Sequence, residues 1–112
     1  LEQLDEALVA FRKSLIKHSR WSDTMVMTYS EFGRRASQNA SRGTDHGTAA
    51  PHFLMGGKIK GGLHGQAPSL TDLAGGDLKH HVDFRTLYST AATGWLGLKA
   101  DELKTYKPLP IF

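Results

Sequence analysis

The sequence predicts an α/β fold, with a mostly parallel sheet flanked by helices, from three features of its pattern. An amphipathic helix at the start leads through a short polar connection into an apolar strand, and a second helical pattern follows near the other end. The strand has no strict alternation of apolar and polar residues, which is typical of a parallel sheet covered on both faces. A helix, a tight turn and such a strand form the second half of a βαβ crossover.

The first helix is predicted to begin at Leu1 and to end near His18. Its apolar residues recur at spacings of three and four and so line one face: Leu1, Leu4, Leu8, Phe11 and Leu15. Acidic residues lie early in the helix and basic residues lie late, as the helix dipole favours. The helix has too few heptads for a coiled coil, so its apolar face is expected to pack against the core.

The predicted strand runs from Thr24 to Tyr29 and has a candidate site at its end. Ligands of parallel sheets bind beyond the carboxyl ends of the strands, where Glu31 falls. The polar stretch 34–42 is expected to be a surface loop, and 67–77 another loop because of its Pro and Gly content. Residues 58–65 predict a hairpin or an irregular edge segment.

A second helix is predicted after Val82. Asp83 is a candidate N-cap, and Gly97 is the expected stop. The residues between them place apolar side chains on one face: Phe84, Leu87, Tyr88, Ala91, Trp95 and Leu96.

Composition narrows the class of protein. The chain has 112 residues, 39% of them hydrophobic and 22% charged, which fits one domain or part of a larger one. The formal net charge is +3, but the basic residues are scattered without an aromatic-basic stripe, so nucleic acid is not an expected partner. No apolar run approaches the ~20 residues of a membrane span, and no signal peptide is visible. The chain contains no cysteine, so a metal site would have to use His, Asp and Glu ligands.

Three residues are predicted metal ligands: Glu31, Asp45 and His46. A carboxylate at a strand end can bind a metal or act as a base. Gly43 and Gly47 frame the Asp-His pair, and such small neighbours let the backbone approach a ligand closely. An imidazole beside a carboxylate suits a hard or borderline divalent ion.

Substrate contacts are predicted for Arg34, Arg35 and His64. Two neighbouring guanidinium groups would suit an anionic ester such as a phosphate or a sulfate, through bidentate contacts. His64 lies in a Gly-rich segment and could reach the site from a flexible loop. The alternative is that the two arginines are a solvated pair balancing Glu31, which would then form a salt bridge instead of binding a metal.

The chain resembles the C-terminal part of domain-of-unknown-function family 1501, through motifs that follow one another in the same order. These are SEFGR at 30–34, GTDHGTAAPHFLMGG at 43–57, GLHG at 62–65, and DFRTLYST with WLG near the end. The resemblance runs from the first helix to Gly97. Members of the family are bacterial, often carry a twin-arginine export signal, and are related to sulfatases and alkaline phosphatases.

The resemblance implies that residues 1–112 are a single fragment, the C-terminal portion of a larger sulfatase-like domain. Such a domain is an alkaline-phosphatase/sulfatase-like α/β sandwich with a divalent metal, Zn, Mn or Ca, at the strand ends. His46 matches the family's final metal-binding His, whereas Phe32 replaces an imidazole expected after the carboxylate of Glu31. The nucleophile is expected upstream, so the fragment alone is expected to be inactive, and the protein is expected to be periplasmic or exported.

Two functions are therefore hypotheses. The first is part of a metal-dependent hydrolase of phosphate or sulfate esters, with an anionic small molecule or a glycan ester as its substrate. The second is a non-catalytic, hydrolase-like module that binds a partner or serves a structural role. Self-association through exposed strand edges is also expected if part of the sheet is missing.

Overall fold

The strands of this protein form three separate antiparallel pairs. The computed structural model describes residues 2–99 and 101–112, and within them each strand has one partner. The pairs are β1 (Met25–Met27) with β4 (Leu54–Gly56), β2 (Gly33–Gln38) with β3 (Thr44–Gly47), and β5 (Leu73–Ala74) with β6 (Asp77–Leu78). No sheet in the described part of the chain has more than two strands.

The predicted fold class, a mostly parallel sheet in an alkaline-phosphatase/sulfatase-like sandwich, is therefore wrong. The apolar strand is shorter than predicted, and it runs antiparallel to β4, with Met25 opposite Gly56 and Met27 opposite Leu54. All three residues of β1 are half-buried. Its non-alternating apolar pattern thus reflects partial cover on both sides, not a place inside a parallel sheet.

Helix α1 (Glu2–Lys17) confirms the first predicted helix, and Leu1 lies outside the described residues. The prediction that its apolar face packs into a core is wrong, because no described residue of α1 is buried. Leu4 remains 47% exposed and Phe11 remains 49% exposed. No helix in residues 2–99 and 101–112 combines the length and the apolar character needed to cross a membrane.

The second predicted helix is also confirmed, as α2 (Phe84–Ser89) followed by a π-helical turn (Thr90–Trp95). Asp83 caps it as predicted, because its side chain accepts a hydrogen bond from the backbone N–H of Arg85 at 2.9 Å. Gly97 ends the helical stretch with a φ of 65°, a left-handed conformation that glycine adopts without strain.

The small core lies between this second helix and the end of the chain. Leu87 and Ile111 are the described apolar residues that are buried, at 9% and 2% exposure. The hydroxyl of Thr90 donates to the carbonyl of Thr86 and accepts from the backbone N–H of Leu109 at 2.8 Å. This hydrogen bond fixes the C-terminal segment against the helix.

Two segments that the sequence assigned to loops contain strands. The polar stretch 34–42 holds most of β2, and 67–77 holds β5 and the start of β6. Gly75 and Gly76 join β5 to β6 with φ values of 60° and 90°, as a two-residue hairpin turn requires. Residues 58–65 form an irregular segment without a strand, one of the two predicted alternatives.

The chain covers little of its own apolar surface. Its accessible area is 8517 Å², whereas a folded monomer of 12.3 kDa is expected to expose about 6100 Å². The radius of gyration is 16.3 Å, against about 13 Å for a compact domain of this length. Large apolar surfaces therefore remain open to contact with another chain or segment.

The stability of α2 should depend on pH through Asp83. Hydrogen bonds from the side chain and then the backbone of Arg85 lower the Asp83 pKa from its ordinary 3.8 to about 2. A carboxyl with a lower pKa in the folded state stabilises the fold above its unfolded pKa, and this stabilisation is lost as the pH falls from about 4 to about 2. Denaturant unfolding across this range should show a loss of stability that is reduced in Asp83→Asn.

Asp101→Asn is the matched control, since Asp101 belongs to an exposed ion pair with Lys104. The role of Asp83 would be contradicted if its variant and this control lost the same stability on acidification.

Gly33 should not tolerate a side chain. A Cβ atom at this position would overlap with the carbonyl oxygen of Ala49, and backbone atoms cannot move aside as a flexible side chain can. We expect Gly33→Ala to lower the free energy of unfolding by about 3 kcal/mol. Gly61→Ala is the control, because no atom of the described residues beyond its two chain neighbours lies within 4 Å of its Cβ position. Equal unfolding midpoints for the two variants would refute this packing constraint.

Candidate functional site

The hairpin of β2 and β3 brings the SEFGR and GTDHG motifs together. Gly33 lies opposite Gly47 and Arg34 lies opposite His46, while Gln38 pairs with Thr44 after a register shift. Between the Arg34–His46 pair and the Gln38–Thr44 pair, three residues of β2 lie opposite one residue of β3, which is a β-bulge. Arg34 and His46, which are twelve positions apart along the chain, thereby become direct neighbours.

Asn39 organises the loop that closes this hairpin. Its side-chain oxygen accepts hydrogen bonds from the backbone N–H groups of Ser41 and Gly43 at 3.1 and 3.0 Å. Its side-chain nitrogen donates to Asp45 Oδ1 at 2.9 Å. The sequence analysis did not single out Asn39, although an Asn in a polar loop can accept a hydrogen bond from the backbone N–H two residues further on.

Phe32 is the centre of the cluster that the hairpin presents. Its ring stacks on the imidazole of His46, with 3.5 Å between ring centroids and 13° between ring planes. The Arg34 guanidinium carbon lies 5.2 Å from the centroid of the same ring, a cation–π contact. Arg34 Nη1 also donates to the carbonyl of Thr44 at 2.8 Å, which holds the guanidinium in place. We name Phe32, Arg34 and His46 the anion face.

The predicted metal ligands Asp45 and His46 diverge. They are consecutive residues of β3, and successive side chains of a strand point to opposite sides. Their contacts agree with this, since the His46 ring stacks on Phe32 while the Asp45 carboxylate accepts a hydrogen bond from the Asn39 side-chain amide. The adjacent carboxylate and imidazole therefore have separate partners within this chain, Asn39 for Asp45 and Phe32 for His46.

Glu31 lies in the exposed link between β1 and β2. The hydroxyl of its neighbour Ser30 donates to the carbonyl of Phe32 at 2.7 Å, which is a local turn contact. No group of three His, Asp or Glu side chains suited to a metal ion occurs in residues 2–99 and 101–112. These residues do not fit a metal by themselves, and the predicted site stays a prediction that requires ligands from outside this chain.

The two predicted substrate arginines have different environments. Arg34 belongs to the anion face, whereas Arg35 Nε lies 3.3 Å from Asp77 Oδ1 and links β2 to β6. That Asp77 oxygen is buried and accepts no hydrogen bond within the described residues. The ion pair with Arg35 is therefore the main interaction that offsets the cost of burying its charge. The two arginines therefore differ: Arg35 forms an ion pair, and Arg34 contacts the Phe32 ring.

His64 lies apart from this cluster in the contacts of the described residues. It belongs to the exposed, irregular segment between Gly62 and Gly65, whose φ values are 147° and 93°. No hydrogen bond or aromatic contact joins its ring to the hairpin in that part of the chain. Its role in substrate binding stays a prediction.

The chain matches a family described as "Protein of unknown function (DUF1501)" over residues 1–107. This range contains the anion face, the Asn39 loop and the second helix with its Asp83 cap. Comparison with curated proteins and with solved structures found no match. The family resemblance is thereby confirmed, while the link to sulfatases and alkaline phosphatases stays a prediction. With almost its whole length matched, this chain belongs to the DUF1501 family.

Proposed function

We propose that this chain is part of a hydrolase of phosphate or sulfate esters, and that the anion face contacts the charged group of the ester. The observation that carries the proposal is the position of Arg34 directly opposite His46, with both side chains exposed and both against Phe32. A guanidinium beside an imidazole on an open surface is a suitable partner for a tetrahedral oxyanion.

The arrangement leaves donors available for such a ligand. Arg34 uses Nη1 to donate to Thr44, and its other N–H groups can donate to ester oxygens. The stacking on Phe32 occupies a face of the His46 imidazole, so the ring nitrogens at its edge stay available for a hydrogen bond. Phe32 therefore acts as a platform that fixes both groups.

The divalent metal belongs to the proposal only if the whole protein supplies further ligands. Glu31, Asp45 and His46 do not form a three-residue group suited to a metal ion within the described residues, and the nucleophile is expected outside residues 1–112. A metal in such a protein would polarise the ester oxygen as a Lewis acid. The part that this chain can perform by itself is to bind and orient the anionic group.

A non-catalytic binding module is the second candidate. The observation that favours it is the divergence of Asp45 and His46, together with the apolar Phe32 where the resemblance expects a ligand. Both candidates use the anion face to bind an anion. They differ in metal content and in turnover by the whole protein.

Anion binding by the chain should depend on Arg34. Titration of the 112-residue chain with inorganic phosphate and with sulfate, followed by backbone amide NMR shifts, should move the signals of β2 and β3. We expect Arg34→Ala to weaken this binding about tenfold, because a hydrogen-bonded charged group is lost.

Arg42→Asn is the matched control for that measurement. It removes one positive charge from the loop of the same hairpin, and Asn tolerates the φ of 62° at this position. If the two variants weakened binding equally, the effect would be net charge alone and the anion face would be excluded as the site.

Metal content separates the two candidate functions. Elemental mass spectrometry of the full-length protein that contains this chain should detect Zn, Mn or Ca if it is a hydrolase, and His46→Ala should lower the amount bound. His18→Ala is the control, since that imidazole lies at the end of α1 and contacts the carbonyl of Ser14. A protein without metal after dialysis against divalent ions, and without turnover of aryl phosphate or aryl sulfate esters, would establish the binding module.

A further inference from the structure

The β5–β6 hairpin is attached to both strands of the β2–β3 hairpin. From β6, Asp77 forms the ion pair with Arg35 of β2, with 3.3 Å between Arg35 Nε and Asp77 Oδ1. The hydroxyl of Thr48, the residue that follows β3, donates to the carbonyl of Leu78 at 2.8 Å. Both strands that carry the anion face are therefore fastened to the same neighbouring strand.

The ion pair from β6 reaches β2 at its β-bulge. Arg35 is the first of the three bulge residues, and it directly follows Arg34 of the anion face. A bulge leaves its extra residues unpaired and disrupts the ladder of backbone hydrogen bonds around them. The register of a polar strand is also weakly specified by its own side chains. A contact from outside the strand pair can therefore select one arrangement of the bulge.

The Arg35 guanidinium is placed between the turn of the β5–β6 hairpin and its carboxylate. Arg35 Nη1 lies 3.4 Å from the position that a Cβ atom on Gly76 would take, so the turn closes against it. The Asp77 side chain is 23% exposed and the Arg35 side chain is 41% exposed. Because the pair is partly shielded from solvent, salt screens it less than an ion pair on the open surface.

We propose that Asp77 is a positioning residue of the anion face and acts through Arg35. The ion pair fixes the first residue of the bulge, and this sets where the preceding residue, Arg34, meets Phe32 and His46. Asp77 is not expected to contact the anion, since a carboxylate would repel it. The inference rests on the proposed function in one respect, that the positioned face binds an anion.

The direction of the charge effect separates positioning from simple electrostatics. Asp77→Asn removes a negative charge, so the change in net charge alone would strengthen the binding of phosphate or sulfate. Loss of position would weaken that binding, because the Arg34 guanidinium would no longer be held against Phe32. Weaker anion binding after the removal of an acidic residue is therefore the mark of a positioning role.

Backbone amide NMR titration of the 112-residue chain with inorganic phosphate and with sulfate tests this role. We expect Asp77→Asn to weaken binding about threefold, less than Arg34→Ala, because the guanidinium is displaced but not removed. Asp72→Asn is the matched control, since it removes the same charge from the residue before β5, where Asp72 pairs with Lys79. Unchanged binding in Asp77→Asn, or equal weakening in both variants, would overturn the proposal.

The NMR signals of the His46 ring test the positioning without a ligand. Stacking places the imidazole in the ring current of Phe32, so its carbon-bound protons should resonate away from the positions of a free histidine. At about pH 9, where the imidazole is neutral, we expect Asp77→Asn to move these signals toward those positions. The methyl signals of the buried Ile111 show whether the variant is folded. Unchanged His46 signals in a folded Asp77→Asn would contradict the proposal.

Variants of Arg35 test whether Asp77 acts through it, and they decide the question if Asp77→Asn fails to fold. Arg35→Gln breaks the same ion pair, so it should move the His46 signals in the same direction, whereas Arg35→Lys keeps the charge and should largely restore them. In the Arg35→Gln background, Asp77→Asn should cause no further change in the His46 signals.

Additive effects of the two substitutions, or equal His46 signals in Arg35→Gln and Arg35→Lys, would rule out the positioning role. A wild-type chain that binds neither phosphate nor sulfate would overturn the proposed function alone, since the His46 signals report the positioning in the absence of any anion.

Discussion

The close approach of two glycines in the β2–β3 hairpin is the constraint on which the candidate site depends. A Cβ atom on Gly33 would meet the carbonyl of Ala49, and one on Gly47 would lie 2.7 Å from the backbone of Arg34. Because both positions lack a side chain, the strands approach in one register, with Arg34 opposite His46. A shift by one residue would move His46 to the other side of the hairpin and away from Phe32.

The same strand geometry divides residues that are neighbours in sequence. Arg34 and Arg35 look like one basic pair, and Asp45 and His46 look like one ligand pair. In the hairpin one member of each pair belongs to the anion face, and the other makes a contact within the fold. Arg35 forms an ion pair with Asp77, and Asp45 accepts a hydrogen bond from the Asn39 side chain. The anion face therefore presents a guanidinium and an imidazole that both contact one aromatic ring.

The second property that limits what this chain can do is the amount of apolar surface that it leaves exposed. Its strand pairs are small, its buried apolar residues lie near the end of the chain, and α1 contributes none of them. Apolar area that stays in water costs free energy, roughly 25 cal/mol per Å².

The sequence by itself determined the two helices, the Asp83 cap, the Gly97 stop and the membership of the family, because these depend on residues close together along the chain or on an ordered set of motifs. Tertiary structure decided the rest. A strand is defined by its partner, and the antiparallel partner of β1 lies nearly thirty residues away, so its apolar pattern was compatible with a parallel sheet that did not form. The polar residues of β2 gave no strand signal, and only their pairing with β3 brought Arg34 to His46 and separated His46 from Asp45.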